Sequence, residues 1–159
     1  MGREVRRVIS NWDHPKNSRG QYLPMNDRPY IEALNEWIDG HNKWEKGEDP
    51  AREEYGDRFY SECYGNPPMV EYYRPEWKEA EMTWYQLYEN VSEGTPITPP
   101  FETQEDLCAY LVDNGDFLGY KWTKEQAEGV IGAGFCPSGV VQNGLFMTGQ
   151  EFAGKSSDK

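Results

Sequence analysis

Apolar residues recur at spacings of three and four from Tyr30 onward. Tyr30, Leu34, Trp37, His41 and Trp44 share one face of a predicted helix, while Glu32, Glu36 and Asp39 fall largely elsewhere. The start lies near Asp27 to Pro29, with proline in the opening turn, and Gly40 is a weak point and a candidate end. Asp49-Pro50 is a second start signal, opening a short acidic helix with Glu53, Glu54 and Tyr55. Phe59 to Val70, interrupted by Asn66-Pro67-Pro68, reads as loop or broken helix. The strongest helical stripe follows Pro75: Trp77, Ala80, Trp84, Leu87, Tyr88 and Val91 align over about four turns. Gly94 is a fitting stop for it.

Thr95-Pro96-Ile97-Thr98-Pro99-Pro100 reads as a stiff extended connector and the best place for an internal boundary, though six residues suit packed elements better than separate domains. Beyond it, Thr103 caps a helix with Asp106 three residues on, a variant of the capping box. Leu107, Tyr110 and Leu111 are its buried side, and Asn114-Gly115 closes it. Thr123-Lys124-Glu125-Gln126 matches the capping box itself, for a short helix to about Gly132. The period then changes. Gly139 to Gln142 and Leu145 to Thr148 read as two strands around Asn143-Gly144, the most specific short hairpin signal.

At the other end, Glu4 to Ile9 reads as an edge strand that tolerates charge, a candidate to join the same sheet. Residues 10–29 read as an extended loop in which Pro15 biases His14 away from helix. The fold class predicted is α+β: about four short helices with a small antiparallel β-sheet including a C-terminal hairpin. One domain spans 1–154, made of a loop-rich part at 1–29, an acidic helical part at 30–94, and capped helices plus hairpin at 101–149. Residues 155–159 read as a disordered tail.

Composition changes this picture in two ways. The 159 residues are only 36% hydrophobic, which leans toward disorder, but six Trp, eleven Tyr and six Phe supply enough burial for a small aromatic core. Acids outnumber bases 28 to 16, a net charge of −12. The excess is uneven: residues 1–31 carry +3, residues 32–93 carry −10, and residues 94–159 carry −5. A strongly basic nucleic-acid binder is excluded, and Arg3, Arg6 and Arg7 offer only a weak phosphate footprint. No apolar run suits a membrane span, and the opening residues do not resemble a secretory leader. Three widely spaced cysteines, Cys63, Cys108 and Cys136, form no disulfide framework and fit a reducing cytosol.

Candidate chemistry is sparse. Two histidines, His14 and His41, and no Cys-x-x-Cys pair leave no tetrahedral metal signature. Cys136 in Phe135-Cys136-Pro137 reads as a small buried thiol rather than a nucleophile. Gly132-Ala133-Gly134 has neither the spacing nor the preceding strand of a phosphate loop. Paired carboxylates such as Glu53-Glu54 arise by chance in so acidic a chain. The expectation is therefore no enzyme, no metal and no cofactor, but an interaction surface. Tyr72, Tyr73, Tyr85 and Trp44 are the candidates for exposure, since Tyr and Trp dominate binding hot spots. The plainer alternative packs them in the core, and leaves the acids as a solvated coat.

Gly2 to Val8, Asn11-Trp12-Asp13-His14-Pro15-Lys16, Tyr30 to Trp37, Gly94 to Pro99 and Pro137 to Val141 together resemble a family of uncharacterised bacteriophage and prophage accessory proteins. The resemblance covers most of the chain and carries no assigned activity. It implies a small phage protein acting in the cytoplasm of the bacterial host. By analogy, such acidic proteins bind and block host machinery, as anti-CRISPR and other anti-defence inhibitors do, and some mimic DNA. The expected partner is a host protein with a basic, nucleic-acid-binding surface, with no direct nucleic-acid or membrane contact. The expected contact residues are Glu45, Glu48, Asp49, Glu53, Glu54, Asp57, Tyr72 and Tyr73. Two alternatives remain open: a small enzyme or nucleotide-signal binder with a pocket lined by Trp and Tyr, and a virion or assembly component.

Overall fold

The structure, a computed structural model, describes residues 2–91, 94–142 and 145–156. The first half of the chain contains β1 (Arg3–Val8), β2 (Asn26–Pro29), α1 (Tyr30–Glu45), α2 (Arg52–Tyr55), α3 (Tyr60–Tyr64) and β3 (Tyr73–Arg74). The second contains β4 (Trp84–Glu89), β5 (Thr95–Pro96), α4 (Gln104–Asn114), α5 (Lys124–Ala133), β6 (Phe135–Cys136), β7 (Gly139–Gln142), β8 (Leu145–Thr148) and α6 (Gly149–Ser156). The fold is α+β, with an antiparallel four-stranded sheet and a C-terminal β7–β8 hairpin. The expected Asn143-Gly144 turn lies outside the described residues. The described residues form two compact units: those up to Pro24 together with those from Trp77 onward, and Met25–Glu76.

In the discontinuous unit the strand order is β5-β4-β1-β6. β1 is an interior strand, paired antiparallel with β4 from Arg3↔Glu89 to Val8↔Trp84 and with β6 through Arg3↔Cys136. The edge position expected for it is corrected, and it pairs with β6 rather than with the hairpin. Two of the charges that suggested an edge, Arg3 and Arg6, are satisfied internally. Arg3 lies 3.7 Å from the Asp116 carboxylate and over the Tyr120 and Trp122 rings. Arg6 meets Glu4 at 2.6 Å and lies 4.4 Å from the Tyr88 ring centroid. Arg3 and Arg6 are thus consumed by the fold, while Arg7 is exposed and lies 3.9 Å from Glu79.

The helix expected after Pro75 is likewise corrected. Residues 79–81 make a single tight turn, and Trp84–Glu89 is the strand β4. A strand buried on both faces loses its alternating pattern, so its run of large residues also fits a helical stripe. On one face Val5 and Leu87 join Ile97, Leu107, Leu111, Ala127, Val130 and Ile131 in the main core, closed by Ala153 of α6. On the other face, the loop after β1 places Trp12 and His14 against Tyr88.

The proline-rich connector packs as part of the same sheet. Thr95 and Pro96 pair with Glu89 and Tyr88, Ile97 N–H donates to Leu87 O at 2.9 Å, and Phe101 exchanges backbone hydrogen bonds with Tyr85 at 2.8 Å. Prolines tolerate such an edge because its outer N–H groups have no ladder to join. Gly94 stops no helix; it forms the β4–β5 turn at φ 92°, where a Cβ would stand 2.8 Å from Glu89 O. Glu89 accepts from Val91 N, Thr95 N and Thr95 Oγ1, which organises that turn.

The capped helices form where their local chemistry places them. Thr103 Oγ1 accepts from Asp106 N–H at 3.1 Å. Thr123 and Gln126 satisfy one another's backbone N–H groups, and α5 ends at Gly134 in the left-handed conformation. Of the disordered tail expected at 155–159, Lys155 and Ser156 instead close the helix α6. The reason is a capping box at Thr148-Gly149-Gln150-Glu151, in which Thr148 N–H donates to Glu151 at 2.9 Å. Among the described residues no helix is long and apolar enough to cross a membrane.

In the 25–76 unit, α1 begins directly after Pro29 and buries the expected face most deeply at Ala33 and Trp44. It runs through Gly40, where the Tyr60 hydroxyl occupies the space that a Cβ would need. A short parallel pair, β2 with β3, ties the start of α1 to Tyr73 and Arg74, and Arg74 reaches Asp27 at 3.1 Å.

Candidate functional site

Two of the side chains that could act as nucleophile or base, Cys136 and His14, are enclosed. Cys136 is buried, and burial pushes its thiol pKa up despite the neighbouring Arg3, the wrong direction for a nucleophile. His14 is enclosed as well: one ring nitrogen lies 2.9 Å from the Tyr88 hydroxyl and the other 2.6 Å from Leu23 O. Among the described residues no group of three or more His, Cys, Asp and Glu side chains is placed to hold a metal. A groove of about 590 Å³ between α4 and α5 is lined by Ala109, Val112 and Ile131 with Cys108, whose thiol is also pushed up by burial.

Burial lowers the pKa of His14 below its ordinary 6.5, outweighing the raising effect of the Leu23 hydrogen bond, and Arg6 lowers it further. The folded state therefore binds fewer protons here than the unfolded chain. The stabilisation from neutral His14 is fully present above about pH 6.5 and is lost as pH falls below it. The expected result is a melting temperature that begins to drop below about pH 6.5, with a weaker drop for His14→Gln between pH 6.5 and 5. Thermal unfolding of both proteins across that range checks it.

The 25–76 unit holds the more informative surface. It carries thirteen acidic against six basic residues. Of the expected contact residues, Glu45 ends α1, Glu48 and Asp49 follow in the turn, Glu53 and Glu54 lie on α2, and Asp57 follows α2. All but Asp49 are exposed. Asp49 is used by the fold: its carboxylate accepts from Ala51 N at 2.9 Å and from the Tyr64 hydroxyl at 3.1 Å. Glu48, Glu53, Glu54 and Asp57 make no ion pair among the described residues. The local arginines do not neutralise them. Arg52 donates to Trp44 O, and Arg58 lies over the Tyr55 ring. Large apolar groups stand among these acids, with Phe59 77% and Tyr64 50% exposed.

Trp44 and Tyr85 are not surface residues of the kind expected. Trp44 is 1% exposed beneath Arg52, and Tyr85 is half-buried against the main core. Tyr72 and Tyr73 are half-buried beside the β2–β3 pair. Tyr73 faces Tyr30 edge-on and lines a cavity of about 400 Å³ with Trp37, Tyr60 and Tyr64. The cavity's polar lining is Asn26, Arg28, Glu36 and Asn66. Trp37 is pinned by its indole N–H, which donates to Gly65 O at 3.0 Å, and by stacking on His41. Tyr60 and Tyr64, four residues apart on α3, stack at 4.8 Å. Hydrogen bonding to Asp49 raises the pKa of Tyr64. Tyr64 thereby joins the ring-lined cavity to the acidic run. Reasoning from sequence missed Tyr60 and Tyr64 as a pair; their four-residue spacing was the available signal. No family model, no curated protein and no solved structure matches the chain.

Proposed function

We propose that this protein acts by binding, and that the acidic face of its 25–76 unit docks on a basic, nucleic-acid-binding surface of a host protein. In this reading it is a phage accessory protein in the bacterial cytoplasm that blocks a defence system in the manner of an anti-CRISPR, its carboxylates standing where the partner reserves room for phosphates. The observation that carries the reading is that Glu48, Glu53, Glu54 and Asp57 are exposed without ion-pair partners while Arg52 and Arg58 are turned onto aromatic rings. Unpaired carboxylates attract a cationic surface over a Debye length, and the exposed Tyr55, Phe59 and Tyr64 add apolar contact area.

The test is competition. A host protein captured with this chain is loaded with its own DNA or RNA, and displacement is measured. The unaltered protein is expected to displace nucleic acid, with an affinity that falls steeply between about 50 and 200 mM salt. Glu53→Lys with Glu54→Lys is expected to weaken binding by about a hundredfold or more. Capture that is insensitive to salt and to both reversals, or that leaves nucleic acid bound, overturns the proposal. A nucleotide-binding pocket is the alternative that the cavity at Trp37 favours, but the lining arginine, Arg28, is held by Glu36 at 2.7 Å rather than open to phosphate.

A further inference from the structure

The geometry points to the cavity of Trp37, Tyr60, Tyr64 and Tyr73 as a receptor for an arginine side chain of a protein partner. This rests on the binding role proposed above and names the group that the unit recognises. Trp37, Tyr60, Tyr64 and Tyr73 stand among its lining residues, and the face of an aromatic ring attracts a cation through its negative quadrupole. Asn26 and Asn66 put amide oxygens in the lining, and Glu36 adds a carboxylate that Arg28 already holds at 2.7 Å. A guanidinium is planar and weakly hydrated, so it stacks on rings and spends its N–H donors on such oxygens, whereas a lysine ammonium gives up more hydration. A volume of about 400 Å³ suits one side chain.

Charge selects against the competing guest, a nucleotide. Its base would stack equally well, but its phosphates need cations. Every arginine in the unit is engaged: Arg28 with Glu36, Arg74 with Asp27, Arg52 at Trp44 and Arg58 over Tyr55. The surrounding excess of acids favours a positive guest. The chain itself uses the same contact repeatedly, with Arg3, Arg6, Arg52 and Arg58 lying over aromatic rings at 4.4 to 5.4 Å. The cavity adjoins the acidic run through Tyr64, whose hydroxyl donates to Asp49. A basic surface steered in by Glu53 and Glu54 therefore arrives beside it.

The test uses the isotope-labelled full chain and reads the Trp37 indole N–H resonance, assigned with Trp37→Phe. The probe is acetyl-Gly-Arg-Gly amide, and the control is the same peptide with citrulline, which keeps the shape and removes the charge. The arginine peptide is expected to shift the Trp37 resonance saturably, with a Kd of about 1 mM, and the citrulline peptide to bind about tenfold more weakly. Tyr73→Leu and Glu36→Gln are each expected to weaken the arginine response severalfold while leaving the other indole resonances in place. An equal response to citrulline, no saturable response, or a saturable response to AMP in place of arginine overturns the inference. The two proposals fail separately. Loss of the arginine response with salt-sensitive, Glu53-dependent partner binding intact removes the pocket alone. An intact arginine response with salt-insensitive partner binding removes the acidic face alone.

Discussion

Asp116→Ala is expected to lower the free energy of unfolding by about 3–5 kcal/mol. Asp116 is buried, and its carboxylate serves four groups. Oδ1 accepts from Leu118 N at 3.0 Å and Tyr120 N at 3.1 Å, Oδ2 accepts from the Trp122 indole at 3.0 Å, and Arg3 stands at 3.7 Å. Alanine leaves the buried Trp122 indole N–H without its acceptor, takes the acceptor from two part-buried backbone N–H groups, and removes the anion facing a buried guanidinium. Each such loss costs far more than a surface contact contributes. Asp116→Asn keeps an oxygen for the two backbone donors and is expected to cost less, about 1–3 kcal/mol. Urea unfolding followed by Trp fluorescence reads both as a lower midpoint at unchanged m-value. A change within about 0.5 kcal/mol for alanine, the size of an ordinary surface substitution, contradicts the enclosed role.

Leu87→Ala is expected to cost about 2–5 kcal/mol, because the surrounding core collapses only partly onto the cavity left behind. Leu87 is 0% exposed on the central strand β4, opposite Val5 and against Ile97, Leu107 and Leu111. Val91 is the informative control. It lies on the same helical stripe as Leu87 in the sequence but is 50% exposed beyond the end of β4. Val91→Ala is expected to change stability by no more than about 0.5 kcal/mol. Similar losses at both positions would be the signature of an amphipathic helix; a large loss at Leu87 alone is the signature of the strand. Denaturant melts of the two variants decide between them.

The misassigned stripe shows where periodicity stops being informative. Trp84 to Glu89 has no polar face to declare a strand, because helices cover one side of the sheet and the loop carrying Trp12 and His14 covers the other. The same two-sided burial explains Arg3 and Arg6, whose charges suggested an edge. Apart from Glu4, which Arg6 meets two residues away, their partners, Asp116 and the rings of Tyr88, Tyr120 and Trp122, lie some 80 to 120 positions along the chain. The acidic surface was legible to a greater degree. An exposed run of Glu48, Glu53, Glu54 and Asp57 follows from composition alone, whereas the withdrawal of Asp49 into hydrogen bonds with Ala51 and Tyr64 does not. The ring-lined cavity was half legible: Trp37 lies on the predicted face of α1, but Tyr73 reaches it only through the β2–β3 pair.

What the amino-acid sequence determined by itself is local. Pro29 starts α1, Thr103 caps α4, Thr123 with Gln126 opens α5, and Gly139 to Thr148 carries the hairpin strands, because each signal acts between residues at most a few positions apart. Thr148 and Glu151 belong with these, since their box is written in four consecutive residues. Tertiary structure alone decided the strand identity of Trp84–Glu89, the interior place of β1, the burial of its arginines and the assembly of four aromatic residues around one cavity. Those outcomes depend on which distant segments pair, and a pairing energy shared across the whole core outweighs the local preference of any one stretch.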